Sequence, residues 1–336
     1  MGGNYKMSAD TFSDNSMREL LGNRFGSHRV PHSFKIIQDT SEFFDVCYDD
    51  VITLEDRHFW VKGYEREGRF GLDDEPKYWV RRAVDIADGS TKILKLVFHE
   101  RFETTVGGVT IECFRSPIKE ARILDLVADH ENFMHGSWVR DSAGNVIRIL
   151  DYIQGKRIDK IIVDYGDNHE DYFYNYFPGV LDTYIEMTEA IKFLHDNEEK
   201  HGDIRRDHIL WDRQRQTYRW IDFDYNYRHG ESMFGLDLQG LGNILIFLVG
   251  KGDVLVPELY ATRRNLFDTL WGEDLNISFK NRVANLKKIF PYIPESLNRV
   301  LLHFSWGASI FYENTGQMLD DLKTAKSDVA VITGKS

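Results

Sequence analysis

Apolar and polar positions along this chain follow two rhythms. Short runs near a period of two predict strands, and longer runs near 3.6 predict helices. Strand-like runs come first, at Phe43–Tyr48 and Phe59–Tyr64. Tyr78–Ile86 and Ile93–Phe98 are joined through Asp88-Gly89, and Asp-Gly between apolar runs predicts a β-hairpin. Phe133–Val139 and Val146–Leu150 flank Ser142-Ala-Gly-Asn145, a second hairpin. A third is predicted where Ile209–Trp211 and Tyr218–Ile221 flank the polar stretch 212–217. Helices are predicted from Ser116-Pro117, with Ser at the N-cap and Pro in the first turn. Another spans Leu181–His195, with Leu181, Tyr184, Ile191 and Leu194 in register. Asn243–Val249 is apolar nearly all round, which predicts a buried helix. Ile293–Leu302 and Phe311–Leu322 are the last helical runs. Residues 1–42 are expected to form an N-terminal extension, partly mobile and without a core of its own, with a short helix at Met17–Leu21. Residues 326–336 are expected to be a polar tail.

Composition narrows the function classes. With 336 residues, 42% hydrophobic and 29% charged, the chain suits one two-lobed domain or two domains. A net charge of −12 argues against nucleic acid as the main partner. The two cysteines, Cys47 and Cys113, are far apart, so neither zinc spacing nor a disulfide framework is present, which fits a reducing compartment. No run approaches a membrane span and no secretory signal is visible. Gly2 lacks the Ser or Thr of a myristoylation signal, so a cytoplasmic location is expected.

The third hairpin carries the candidate chemistry. His201-Gly-Asp203-Ile-Arg205-Arg206-Asp207-His208 precedes it, and Asp222-Phe-Asp224 follows it. Pairing the strands brings Asp203 and Asp222 together, and two adjacent carboxylates call for a cation or a proton between them. Metal-assisted phosphoryl transfer uses such a pair, one acid orienting the nucleophile and the other holding the metal. Lys95 sits in an otherwise apolar run, where a buried lysine needs a partner. A lysine snorkelling from a sheet edge fits the same pattern. Glu120 shares a helix face with Leu124 and Val127, and Lys95 is its candidate cation. A solvated glutamate at the edge of the stripe is the alternative.

Taken in order, Lys95, Glu120, His201-x-Asp203, Asp222-Phe and the helix opened by Asp237 resemble the protein-kinase-like superfamily, and in particular bacterial-type Ser/Thr kinases. The resemblance covers roughly residues 90–325. It implies an α+β, bilobal protein-kinase-like fold, with a β-rich N-lobe over 43–150 and a mainly helical C-lobe over 151–325. It implies an ATP-dependent phosphotransferase using Mg²⁺ or Mn²⁺, with a protein or small-molecule hydroxyl as acceptor. Asp203 would orient and deprotonate that hydroxyl. Arg205 would steady the transferring group, with Arg206 as the alternative. Asp222 would hold the metal, and Lys95, braced by Glu120, would hold the phosphates. Asp151-Tyr-Ile-Gln-Gly155 resembles the hinge, with backbone groups at Asp151 and Ile153 binding adenine and Leu150 as gatekeeper. Asp237 would buttress the catalytic loop. Gly68-x-Phe70-Gly71 faintly resembles part of a glycine-rich loop, and an ordinary hairpin turn explains it as well.

Four departures from that pattern matter. His208 replaces the asparagine that serves a second metal ion, so His208 joins Asp222 as a candidate ligand, through nitrogen. Asp224 replaces the glycine of D-F-G, and Gly202 the arginine of H-R-D. Only fifteen positions separate Asp222 from Asp237, with no A-P-E, and Phe311 stands near the place of the late arginine. Two other readings therefore stay open. One is a pseudokinase that binds nucleotide without turnover. The other is a small-molecule kinase of the aminoglycoside phosphotransferase type.

Overall fold

The computed structural model describes residues 13–69, 72–228 and 232–334, without the side chains of 67–69 and 72–74. In chain order its first elements are α1 (Asp14–Phe25), β1 (Ile36–Ile37), β2 (Val51–Leu54), β3 (Arg57–Arg69), β4 (Leu72–Asp85), β5 (Thr91–Lys95), β6 (Arg101–Val106) and β7 (Val109–Arg115). Next come α2 (Pro117–Leu126), β8 (Gly136–Arg140), β9 (Val146–Asp151), β10 (Gly155–Arg157), α3 (Ile158–Ile162), α4 (His169–Asn175) and α5 (Phe177–Asp196). The remainder are β11 (Ile209–Asp212), β12 (Thr217–Trp220), β13 (Tyr225–Tyr227), α6 (Gly235–Val249), α7 (Val256–Thr262), α8 (Arg264–Phe267), α9 (Glu295–Leu302) and α10 (Thr315–Thr333). The architecture is α+β, divided into two compact units. The first holds the chain to Phe98 together with Gly136–Tyr152, and the second holds His99–His135 and everything from Ile153. No helix of the described residues is long and apolar enough to cross a membrane.

The first unit is built on a seven-stranded sheet in the order β1-β2-β3-β4-β5-β9-β8. Gly89 takes a φ of +78° in the β4–β5 turn, a conformation glycine adopts without strain. Alternate residues such as Ile52, Leu54, Phe59, Val61, Leu94 and Ile149 bury together in one cluster. A second cluster joins Val51, Trp60 and Ile86 to Met17 and Leu21 of α1. The helix expected at Met17–Leu21 thus runs over Asp14–Phe25 and borrows its core from the sheet. Phe43–Tyr48 is not a strand: Phe43–Asp45 is a 3₁₀ turn. The Asp50 carboxylate accepts from the backbone N–H groups of Lys35 and Cys47, and such side-chain bonds compete with a strand ladder.

Within the second unit, β11 and β12 form the expected hairpin, with Ile209 opposite Trp220 and Asp212 opposite Thr217. The sheet β13-β7-β6 was not foreseen. Residues 99–135, assigned by the sequence to the 43–150 lobe, cluster with this unit. The buried Arg115–Asp224 pair and the Lys119 bonds described below are the physical reason. Helix α5 begins at Phe177 rather than Leu181, since Pro178 suits its first turn. The tail expected at 326–336 is helical as far as Thr333. Met318, Leu322, Ala325 and Val329 continue one buried stripe, so α10 keeps a packed face through the polar stretch.

Candidate functional site

The loop after α5 is held from two directions. Asp237, in the first turn of α6, accepts from the backbone N–H groups of His201 (2.7 Å) and Gly202 (2.9 Å). His195 Nε2 lies 3.2 Å from the same carboxylate. Burial would raise Asp237, but the bond and charge of His195 outweigh it and hold the group below the usual carboxylate range. Asp237 therefore makes the backbone contacts expected of a buttress. Gly202 has a φ of +86°, and a Cβ there would stand 1.9 Å from the Tyr225 carbonyl oxygen. No side chain fits, which explains why this position carries no arginine. Gly240 of α6 permits a similar approach, since a Cβ there would come within 2.7 Å of Ile204.

Lys119 holds the loop from the other side. Its buried ammonium donates to the carbonyls of His201 (2.8 Å), Phe223 (3.0 Å) and Tyr225 (2.6 Å). One cation thus ties the segment around Asp203 to the segment around Asp222. Burial draws its pKa down to about 8, against the opposing charges of Asp237, Asp224, Glu199 and Glu120. The sequence reading missed Lys119. Its signal was there: Lys119 stands four and eight positions before the apolar Ile123 and Val127, on the inward stripe of α2.

Asp203, His208 and Asp222 are brought together. His208 is buried, whereas both acids are part-exposed. His208 Nδ1 lies 2.9 Å from the Asp203 carbonyl oxygen, which can only accept, so Nδ1 carries the proton. The same nitrogen is 3.7 Å from Asp203 Oδ2, and Nε2 is 3.6 Å from Asp222 Oδ2. Asp222 adopts a φ of +65°, uncommon for a residue with a side chain and often met at functional sites. His201 is fully enclosed, and burial pushes its pKa down to about 3. Its Nδ1 accepts from the Asp203 N–H at 3.3 Å.

A second group of acids adjoins this one. Glu120, Asp222 and Asp224 each present a carboxylate oxygen within 4.8 Å of the others, an arrangement able to hold a metal ion. Asp224 is also ion-paired with Arg115, at 2.7 and 2.9 Å. Arg115 binds Glu100 at 2.8 Å, and the Tyr225 hydroxyl donates to Glu100. Burial opposes the charge on Arg115, but Asp224 outweighs it and holds the guanidinium above its usual range. The aspartate in the glycine position of the triplet therefore has a cation built for it.

The other expected site residues are placed as follows. Arg205 pairs with Asp207 at 2.7 Å, and Arg206 with Asp253 at 2.9 Å. Ile153 is half-buried in the second unit, just before β10. Lys95, Leu150 and Asp151 belong to the first unit. Lys95 is buried on β5 opposite Val80 and Arg148. Leu150 is buried between β5 and β8, and Asp151 pairs with Lys92 at 2.7 Å. Phe70 and Gly71, in the stretch that faintly resembles part of a glycine-rich loop, lie outside the described residues. Compared with protein-family models and with curated proteins, the chain matches none.

Proposed function

We propose that this chain is an ATP-dependent phosphotransferase of bilobal, protein-kinase-like design, moving the γ-phosphoryl group to a hydroxyl of a protein or a small molecule. One observation carries the reading: Asp203 and Asp222 stand on either side of His208, each within 4 Å of a ring nitrogen, at 3.7 and 3.6 Å. The loops bearing them are fixed from behind by Asp237 and Lys119, which supports preorganised positioning. In this reading Asp203 accepts a hydrogen bond from the acceptor hydroxyl. The acceptor oxygen bonds to the γ-phosphorus, and the bond to the β–γ bridging oxygen breaks. Its electron pair leaves with ADP, and the acceptor's proton passes to Asp203 and then to solvent. The donor set fits a divalent ion. Asp222, with Glu120 and Asp224, offers the hard oxygens that Mg²⁺ and Mn²⁺ take, and His208 Nε2 adds a nitrogen that Mn²⁺ accepts more readily. When bound, the ion would neutralise phosphate charge. The nucleotide-holding roles expected of Lys95, Leu150, Asp151 and Ile153 belong to the same proposal.

A second reading, nucleotide binding without transfer, is favoured by the ion pairs of Arg205 with Asp207 and of Arg206 with Asp253. Both arginines proposed to steady the phosphoryl group are engaged elsewhere. ATP labelled at the γ-phosphate separates the readings, given to the pure protein alone, with a peptide panel and with a metabolite panel. Labelled protein or peptide supports a protein kinase, and a labelled metabolite supports a small-molecule kinase. Nucleotide binding with no label moved supports the second reading. Near-wild-type transfer in both Asp203→Asn and Asp222→Asn overturns the site.

A further inference from the structure

We propose that the open cleft lined by α3, the start of α5 and the β11–β12 hairpin is a binding site for a flat aromatic anion. It lies within the second unit, shares no residue with the Asp203–His208–Asp222 group, and stands independently of the proposed activity. Its volume is about 730 Å³, a size that suits a small ligand.

Three observations set the ligand class. The first is the walls. Tyr165 and Tyr176 stack at 5.0 Å on the helical side, and Trp211 and Tyr218 meet at 4.9 Å on the hairpin side. Such faces favour a planar ring. Burial, with Tyr165 nearby, pushes the Tyr218 phenol up to about 12, so it stays a neutral hydrogen-bond donor.

The second is charge. The chain has 54 acidic and 42 basic residues, yet the charged residues lining this cavity are both basic, Lys156 and Arg213. Lys156 is paired with Asp164, whereas Arg213, in the hairpin turn, has no carboxylate partner among the described residues. An anionic group on the ligand would supply one.

The third is Gly179. It lies in the first turn of α5, and a Cβ built there meets no atom within 4 Å. Its backbone is not left-handed, so neither conformation nor crowding demands glycine. The position lines the cleft, so a larger side chain there would enter its open space.

The test is a fluorescence titration of the full chain with 8-anilinonaphthalene-1-sulfonate, an aromatic anion with a flat naphthalene ring. One saturable site is expected. Gly179→Phe, which fills the space, should abolish it with the helical circular dichroism retained. Arg213→Ala should weaken it by about tenfold, and the uncharged N-phenyl-1-naphthylamine should bind the wild type more weakly by about the same factor. If Gly179→Phe does not fold, Arg213→Ala and the uncharged dye decide. Absence of saturable binding to the wild type, or unchanged binding in the folded variants, overturns the site. Equal affinity for the uncharged dye overturns the ligand class.

Discussion

Asp237 and Asp222 lie in the same unit, and their surroundings differ in kind. Asp237 is buried, and its oxygens are taken up by two backbone N–H groups and by His195. Asp222 is part-exposed, sits in left-handed backbone, and shares its neighbourhood with Glu120, Asp224 and the side chain of His208. Arg115 answers Asp224, and Lys119 answers three carbonyls. The first region meets its electrostatic demand from within the protein. The second gathers three acids whose carboxylate oxygens lie within 4.8 Å of one another. The lesson is that an aspartate beside a loop is an anchor or a reactive group according to what surrounds it.

Removing the anchor should have the largest effect. Asp237→Ala leaves two backbone N–H groups and His195 without their acceptor, which should cost roughly 3–5 kcal/mol of stability. Urea unfolding followed by circular dichroism measures it. Asp222→Asn should change stability by less than about 1 kcal/mol, since that side chain is part-exposed. If the two variants unfold alike, the contrast between anchor and site is wrong.

The next effect is on rate. Asp203→Asn should slow phosphoryl transfer by about 10²–10⁴, the usual contribution of a positioned acid–base group. Asp222→Asn should slow it at least as much and should also weaken metal-dependent nucleotide binding, which Asp203→Asn should leave intact. Both variants should unfold with the wild type. Near-normal transfer in both would falsify the assignment of these two acids.

How far the chain's pattern reveals this contrast varies by residue. The β11–β12 hairpin, its flanking aspartates and the α6 helix were visible, because local periodicity and turn residues determine them. The Lys119 and Arg115 contacts were not. Each depends on tertiary pairing across loops, Arg115 with Asp224 and Lys119 with carbonyls around residues 201 and 223–225. Backbone acceptors leave no mark on side-chain sequence, so the stripe of α2 can mark Lys119 as inward but not show what it binds. The length of α10 was missed for a different reason. Its buried stripe thins to Ala325 and Val329, small apolar residues set among polar ones.

A smaller effect comes from two enclosed histidines, one in the anchor region and one remote from both aspartates. Burial pushes His201 down to about 3 and His169 down to about 4. His169 lies 2.7 Å from the Tyr292 hydroxyl and 2.8 Å from the Val249 carbonyl oxygen. In the unfolded chain both take up a proton near pH ~6.5. Below that value the unfolded state binds more protons than the folded state, so stability falls as pH falls towards the folded values. Above it the contribution is fully present. Each histidine adds up to about 1.4 kcal/mol per pH unit within its window. His169→Gln should flatten the dependence of unfolding free energy between pH 6 and 5 by nearly one proton, and an unchanged slope would show that His169 is not held neutral.

The smallest effect sharpens the description of the Asp222 region itself. The His208 Nδ1 proton is committed to the Asp203 carbonyl at 2.9 Å, so in the neutral ring the Nε2 lone pair is left facing Asp222 at 3.6 Å. An ion on Asp222 could draw on that nitrogen, or it could sit among the oxygens of Glu120, Asp222 and Asp224 and leave His208 to its carbonyl. The two arrangements differ in metal preference, because Mn²⁺ accepts imidazole more readily than Mg²⁺, which favours oxygen and keeps its water. Replacing His208 by Asn exchanges the nitrogen for an amide that offers either oxygen or N–H. If the ring nitrogen is a ligand, transfer or nucleotide binding in the wild type favours Mn²⁺, and His208→Asn moves the ratio towards Mg²⁺ by up to about tenfold. If the ratio is the same in both proteins, His208 acts only through the Asp203 carbonyl, and the three carboxylates alone supply the ion's protein ligands.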